Sequence, residues 1–374
     1  MIIAVNTRHL SDDDPNGGGE FIFECFSRLA LQYPQHQFIY IFDKAYDKKF
    51  ITSKNIIPVV AGPEARSPLR WQYWYNYKVP AILKKYKAAV FVSTDGICSL
   101  RTKIPQCLLL NDIGFILHPQ FFTKNHLRFY KKFTLKFLIK AERIAIVSEF
   151  LQKDIIDRYK TDPGKINLVY KAASDLFQPI SEKEKASIKE KYAEGKEYFL
   201  YSGSIAPGKN LLNLLKAFSF FKKRQKSNMQ LLIAGKAVPG YRQFMDDLGT
   251  FKFRNEVKVL SDLSKNELAK VTAAAYAMVD PVFLEDFAAP ALEAMQCDVP
   301  VIVGKAETLP RSIHAVTLQT DPGDFKDIAD KIMLLFKDEH KRNELIHAGK
   351  VAVQQYNQDR TTTQLWQAIS GAIK

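Results

Sequence analysis

The chain is short of acid, sparing with cysteine, and without any long apolar run. Its 374 residues carry 54 Lys and Arg against 40 Asp and Glu, a formal net charge of +14. Such an excess predicts attraction to phosphates, anionic lipid or nucleic acid without choosing among them. No nucleic-acid recognition motif accompanies the charge, so a nucleic-acid partner is not expected. The four cysteines, Cys25, Cys98, Cys107 and Cys297, make no CxxC pair and no His/Cys group with structural-zinc spacing, so no metal is expected. Cys25 and Cys107 sit in apolar text and read as packing residues, which fits a reducing, cytoplasmic setting. No uninterrupted apolar stretch reaches about 18 residues, which argues against an integral membrane protein. The opening MIIAVNTRHL is too short for a secretory signal or a span.

What is present is an α/β alternation. IIAVNT, QFIYIF, IIPVV, AAVFVS, CLLLND, RIAIVS and KINLVY read as strands, with helices over 20–33 and 149–159 and a loop over 114–120. A turn is expected at Asn16-Gly17-Gly18-Gly19. Near-continuous apolar strands of this kind belong to a mostly parallel sheet covered by helices. The stretch DLFQPISEKEKASIKEKYAEGKE is polar and has no strand signal, so a domain boundary is placed there. Beyond it EYFLYSG, MQLLIAG, EVKVL, AYAMVD and VPVIVG repeat the alternation, with helices over 211–223 and 265–274 and two more between 340 and 372. The expected domains are 1–178, 179–355, and a terminal helix, 356–374. Two such domains make a cleft, the usual place for a ligand.

The basic residues are unevenly spread. KNHLRFYKKFTLKFLIK, residues 124–140, contains no acid and interleaves Leu and Phe with Lys. Residues 70–87 mix Trp71, Tyr73, Trp74, Tyr75 and Tyr77 with Lys78, Lys84, Lys85 and Lys87. Both segments suit an anionic membrane surface, or else helices packed on a core with their lysines solvated.

Two loops of the second half carry chemistry. After EYFLYS comes Gly203-Ser204-Ile205-Ala206-Pro207-Gly208-Lys209-Asn210, then a helix. Glycine lets backbone approach a ligand closely, and a lysine at a helix entry can meet a diphosphate. Lys209-Asn210 stands where a phosphate loop of nucleotidases has Lys-Ser/Thr, so that motif is excluded. The second loop lies in PVFLEDFAAPALEAMQCDVP, residues 281–300, where Glu285 and Glu293 are eight residues apart. A strand–loop–helix–strand unit with these acids suits a ligand that has both hydroxyls and phosphate. Alternatively, Glu293 is a first-turn charge favoured by the helix dipole.

This text resembles the motif of two glutamates separated by seven residues in retaining glycosyltransferases of GT-B fold, the family 4 group. The resemblance implies two Rossmann-like domains facing across a cleft, with the C-terminal helix crossing back to the first. It implies transfer of a sugar from a nucleotide-diphosphate donor, a GDP- or UDP-sugar, to a hydroxyl of a saccharide or lipid-linked saccharide. No other cofactor is implied. By the same resemblance Glu285 approaches the donor sugar, Glu293 binds ribose, and Lys209 with the backbone of Gly203 and Ser204 meets the diphosphate. Gly235 and Leu260 fall beside the nucleotide, and Phe287 and Ala288 supply backbone donors. Gly18 lies near the donor phosphates, and Asn111 takes the place of a sugar-positioning histidine. Such an enzyme is expected in the cytoplasm, peripheral to the inner membrane face. Departures are visible: Ser204 replaces a common arginine, Asp286 and Ala288 replace glycines, and Asp298 replaces a glycine before the next strand. They leave a non-catalytic sugar-nucleotide binder, or a nucleotide-sugar epimerase, as alternatives.

Overall fold

Among the described residues thirteen short strands, six of them buried along their whole length, build two parallel sheets. The computed structural model describes residues 1–10, 18–111, 113–117, 119, 122–238, 240–283, 289–305 and 309–373. By internal contacts the chain divides into a first unit, Met1–Lys171 with Asp359–Lys374, and a second, Ala172–Gln358.

The strands of the first unit are β1 (Ile2–Asn6), β2 (Gln37–Phe42), β3 (Ile56–Val60), β4 (Val90–Ser93), β5 (Gln106–Leu110), β6 (Arg143–Ile146) and β7 (Ile166–Leu168). They pair in the order β3-β2-β1-β4-β5-β6-β7, with every pairing parallel. Apolar residues on both faces of these strands force helices onto both sides. One side packs Trp71, Trp74, Tyr75, Phe129, Phe137 and Leu138. The other packs Phe26 and Leu29 of the helix Gly18–Gln32 with Leu365, Ala368 and Ile369 of the helix Gln358–Gly371. Trp366 of that terminal helix stacks on Tyr33 with ring centroids 3.9 Å apart. The last helix therefore crosses back to the first sheet.

The second unit contains β8 (Tyr198–Ser202), β9 (Gln230–Ala234), β10 (Val257–Leu260), β11 (Ala277–Asp280), β12 (Val301–Gly304) and β13 (Leu318–Thr320). Their order is β10-β9-β8-β11-β12-β13, again all parallel.

Several local expectations change. Gly18 and Gly19 open the first helix rather than forming a turn. A short helix, Gly114–Leu117, occupies the expected loop. The polar stretch before β8 is a helix, Glu182–Ala193, started by a reciprocal capping box between Ser181 and Glu184. Residues 68–85 combine the helices Pro68–Tyr73 and Val79–Lys85 with a π-helical turn, Trp74–Lys78. All four cysteines are buried and unpaired, and burial pushes the Cys107 and Cys297 thiols up to about 12. Among the described residues, no helix is long and apolar enough to cross a membrane.

Candidate functional site

In each sheet the strand order reverses direction at one point, between β1 and β4 in the first and between β8 and β11 in the second. In open parallel sheets a ligand binds at the carboxyl edge of that switch point, because the two loops leaving it run to opposite faces and open a crevice. The loops leaving β8 and β11 are the ones that contain Gly203–Lys209 and the approach to Glu293.

The edge of the second sheet is built around glycine. Gly203 and Gly235 follow β8 and β9 with φ of +154° and +158°. A Cβ on Gly235 would meet the Gly203 carbonyl oxygen at 1.7 Å, so only glycine lets the two backbones cross. Hydrogen bonds then lace the loops together: Gly203 N–H donates to Ala234 (2.9 Å), Gly235 N–H to Leu260 (3.0 Å) and Ile205 N–H to Lys236 (3.0 Å). The Tyr201 hydroxyl donates to the Ser204 carbonyl at 3.1 Å and pins the start of the loop. At the end of β12, a Cβ on Gly304 would lie 2.1 Å from the Val282 carbonyl oxygen, a second close crossing.

Lys209 ends a single tight turn, Pro207–Lys209, and is half-buried. Asn210 follows in the left-handed region, φ 56°, which asparagine tolerates and a β-branched threonine does not. Its side-chain amide donates to the carbonyls of Pro281 and Pro322, both at 2.7 Å. One side chain thus ties the loop after β8 to those after β11 and β13, immediately before the helix Leu211–Gln225 begins. Sequence reasoning used Asn210 only to exclude a phosphate loop. Its Lys-Asn pair at a helix entry was the available signal.

Glu293 is the fifth residue of the helix Ala289–Gln296 and is half-buried. That helix has no acid in its first turn, so Glu293 is not the dipole-favoured charge that was the alternative reading. Asp298 has φ +59°, the conformation that makes glycine suitable there, and Lys350 meets its carboxylate at 3.1 Å. Gly235 and Leu260 stand at the ends of adjacent strands β9 and β10. Glu285, Phe287 and Ala288 lie outside the described residues, as does Asp286.

The first sheet's edge carries a group that sequence reasoning missed. Arg8, just after β1, donates from Nε to Asp95 Oδ2 at 2.6 Å and from Nη1 to the Ala65 carbonyl at 2.7 Å. Asp95, just after β4, also accepts from the buried Tyr75 hydroxyl and from Ser93 Oγ at 3.2 Å. Asn6 donates to the Tyr75 hydroxyl at 2.7 Å. Burial alone would raise the Asp95 carboxyl, but Arg8, His9 and Tyr75 outweigh it and hold the group well below the usual carboxylate range. Arg8 and Asp95 are 87 positions apart, so no spacing announces the pair. Asn111 follows β5, and its buried Oδ1 has no partner among the described residues. Gly18 is the first residue of its helix, which follows β1. No group of three metal-ligating side chains occurs among the described residues.

Residues 182–352, all within the second unit, match the family model described as "Glycosyl transferases group 1". O-antigen chain mannosyltransferase B of Escherichia coli is 28% identical over 262 residues, spanning 68% of this chain and 67% of that protein. O-antigen chain mannosyltransferase RfbU of Salmonella typhimurium is 26% identical over 283 residues, 74% of this chain and 73% of its own length. Anabaena HepE, solved in complex with UDP-glucose, superposes with a TM-score of 0.78 at 16% identity, covering 99% of both chains. The fold is GT-B, two Rossmann-like units with the last helix returned to the first.

Proposed function

We propose that this chain, a glycosyltransferase of GT-B fold, moves a mannosyl residue from a nucleotide-diphosphate sugar to a hydroxyl of a saccharide or lipid-linked saccharide. The reading includes retention at the anomeric carbon, as in the family 4 group. One observation carries it. The Gly203–Lys209 loop and the segment leading to Glu293 leave adjacent strands at the switch point of one parallel sheet, and Asn210 fastens one loop to the other. The relatives' names supply the sugar class, and they do not favour the epimerase or the non-catalytic binder. HepE's bound UDP-glucose supports a nucleotide-sugar donor, with GDP-mannose the form that suits mannosyl transfer.

In the reaction the bond between the anomeric carbon and the diphosphate oxygen breaks as the acceptor oxygen attacks the same face. The acceptor proton passes to the departing phosphate. Charge builds on the diphosphate, and Lys209 with the backbone N–H groups at Ser204 and the following helix start stabilises it, while Gly203 lets the backbone come close. Glu293 holds the ribose hydroxyls, while Gly235 and Leu260 flank the base. Glu285 and the backbone of Phe287 and Ala288 hold the donor sugar.

The acceptor reading extends to a membrane surface. On the first unit, Leu69 and Ile139 are 79% and 67% exposed, and the neighbouring helices also expose Arg70, Lys84, Lys132 and Lys136. Trp71 stacks against His126 and meets Phe129 edge-on, joining the two helical segments. Apolar side chains set among cations fit an anionic bilayer and would bring the enzyme to a lipid-linked acceptor.

Calorimetry with GDP-mannose, UDP-glucose, ADP-glucose and dTDP-glucose tests the donor site. Binding of GDP-mannose by the intact chain, weakened at least tenfold in Glu293→Gln, is the expected result. No binding by any donor would overturn the reading.

A further inference from the structure

The first sheet's switch point holds a polar cluster of Arg8, Tyr75, Ser93 and Asp95. The Asp95 carboxylate is engaged at both oxygens: Tyr75 and Ser93 at Oδ1, Arg8 at Oδ2. The Arg8–Asp95 side chains are each 7% exposed, and the Arg8 guanidinium also donates to Ala65 and lies 5.4 Å from the Trp71 ring centroid. Charge is therefore balanced inside the cluster, and neither partner is left to bind an anion or a metal. His9 differs. Its imidazole is 39% exposed, and Nε2 lies 3.5 Å from Asp95 Oδ2. With Nε2 turned toward Asp95, Nδ1 is the ring nitrogen left to meet a ligand. Nδ1 makes no hydrogen bond among the described residues.

A buried ion pair costs desolvation free energy that close packing of apolar groups would avoid. Here it braces one half-exposed imidazole at the carboxyl edge between β1 and β4, where a ligand of this sheet would sit. Thr94 Oγ1 donates to the Asn6 carbonyl at 2.8 Å, and Arg8 N–H donates to Asn6 Oδ1 at 3.2 Å, so both loops at this edge are tied down. A ring nitrogen at the edge of a crevice suits a ligand hydroxyl.

We propose that His9 binds a sugar hydroxyl of the acceptor through Nδ1, held in orientation by Asp95, at the switch point of the first unit. This rests on the glycosyltransferase reading and names a residue for its acceptor side. The role is binding and positioning, and no proton is transferred to the ring.

Histidine-selective 13C NMR on the full chain tests it directly. The protein has seven histidines, and loss of one signal in His9→Asn assigns His9. The probes are methyl α-D-mannopyranoside, methyl β-D-galactopyranoside and methyl N-acetyl-β-D-glucosaminide. The expected result is a saturable shift of the His9 signal with at least one glycoside, and none with GDP-mannose alone. With the glycoside that shifts it, His9→Ala should raise the acceptor KM about tenfold while the donor KM stays constant. His9→Asn puts an amide oxygen near the Nδ1 position and should recover most of that loss, which a purely structural role would not produce. A His9 signal unmoved by every glycoside would overturn the proposal, as would equal losses in the two variants. Donor binding is read separately by calorimetry, so failure of the donor site and failure of His9 remain distinct.

Discussion

A Cβ placed on Gly235 would lie 1.7 Å from the carbonyl oxygen of Gly203, at the point where the loops after two neighbouring strands cross. The contact is with backbone, so no rotamer change relieves it. Gly235→Ala should lower stability by about 3 kcal/mol, combining a forced backbone shift with a φ that alanine disfavours. At Gly203 the nearest atom is the Tyr201 hydroxyl, the end of a side chain, at 2.8 Å. Gly203→Ala should therefore cost less. Urea denaturation midpoints compare the two, and a smaller loss in Gly235→Ala would contradict the crossing.

Asn210 does two things that substitution can separate. Asn210→Gly keeps the left-handed backbone but removes the amide bonds to Pro281 and Pro322. Asn210→Ala loses both. We expect losses of about 1–2 kcal/mol for glycine and about 1 kcal/mol more for alanine. Donor affinity should fall in both variants, because the loop carrying Lys209 is no longer fastened. Unchanged affinity in a stably folded Asn210→Gly would separate Asn210 from the donor site.

The Arg8–Asp95 pair makes stability depend on pH in the acid range. The folded Asp95 carboxyl is depressed, so it stays ionised to lower pH than in the unfolded chain. Its contribution is complete above the unfolded pKa of about 4 and drains away as pH falls below that value. Asp95→Asn should remove this part of the acid dependence. It should also cost about 3–5 kcal/mol at pH 7, because Arg8 is left buried without its counter-charge. Denaturation at pH 7 and pH 3.5, for intact chain and variant, reads both effects. An unaltered acid slope in the variant would refute the assignment.

Leu69 and Ile139 test the membrane face, since both are exposed and neither supports the core. Leu69→Glu with Ile139→Glu should leave the melting temperature within a few degrees of the intact protein. Co-sedimentation with vesicles containing phosphatidylglycerol should drop at least tenfold, and raising salt should weaken the intact protein's binding. Equal binding by the double variant would remove this face from consideration.

How far the sequence could be read follows from where its signals lie. β8 and β9 are buried along every residue, so YFLYS and QLLIA announced themselves as apolar runs. β13 spans only Leu318–Thr320, is partly exposed, and was not anticipated. Gly18 and Gly19 read as a turn from glycine content alone, yet they start a helix whose Phe26 and Leu29 are buried. On residues 70–87, Trp74 and Tyr75 are core while Tyr73 and Tyr77 are exposed. A π-helical turn shifts the periodicity there, so neither the buried nor the surface reading fitted the whole segment. The candidate donor loops were legible because their glycines, Lys209 and Glu293 fall within short local stretches. Arg8, Asp95 and Tyr75 were not, because an ion pair between distant positions leaves no periodic trace.

From its sequence alone this protein was bound to form parallel sheets covered by helices. Apolar strands and amphipathic helices carry that instruction locally, residue by residue. The sequence also determined that glycine and lysine stand after the first strand of the second half, and that a glutamate follows its fourth. Only the tertiary structure decided that those two strands are neighbours at a reversal of strand order, that Asn210 ties their loops together, and that Gly203 and Gly235 cross. It alone brought Arg8 and His9 to Asp95. The physical reason is that burial and propensity act on neighbours along the chain, whereas strand order and ion pairing depend on which distant segments the packed sheet brings side by side.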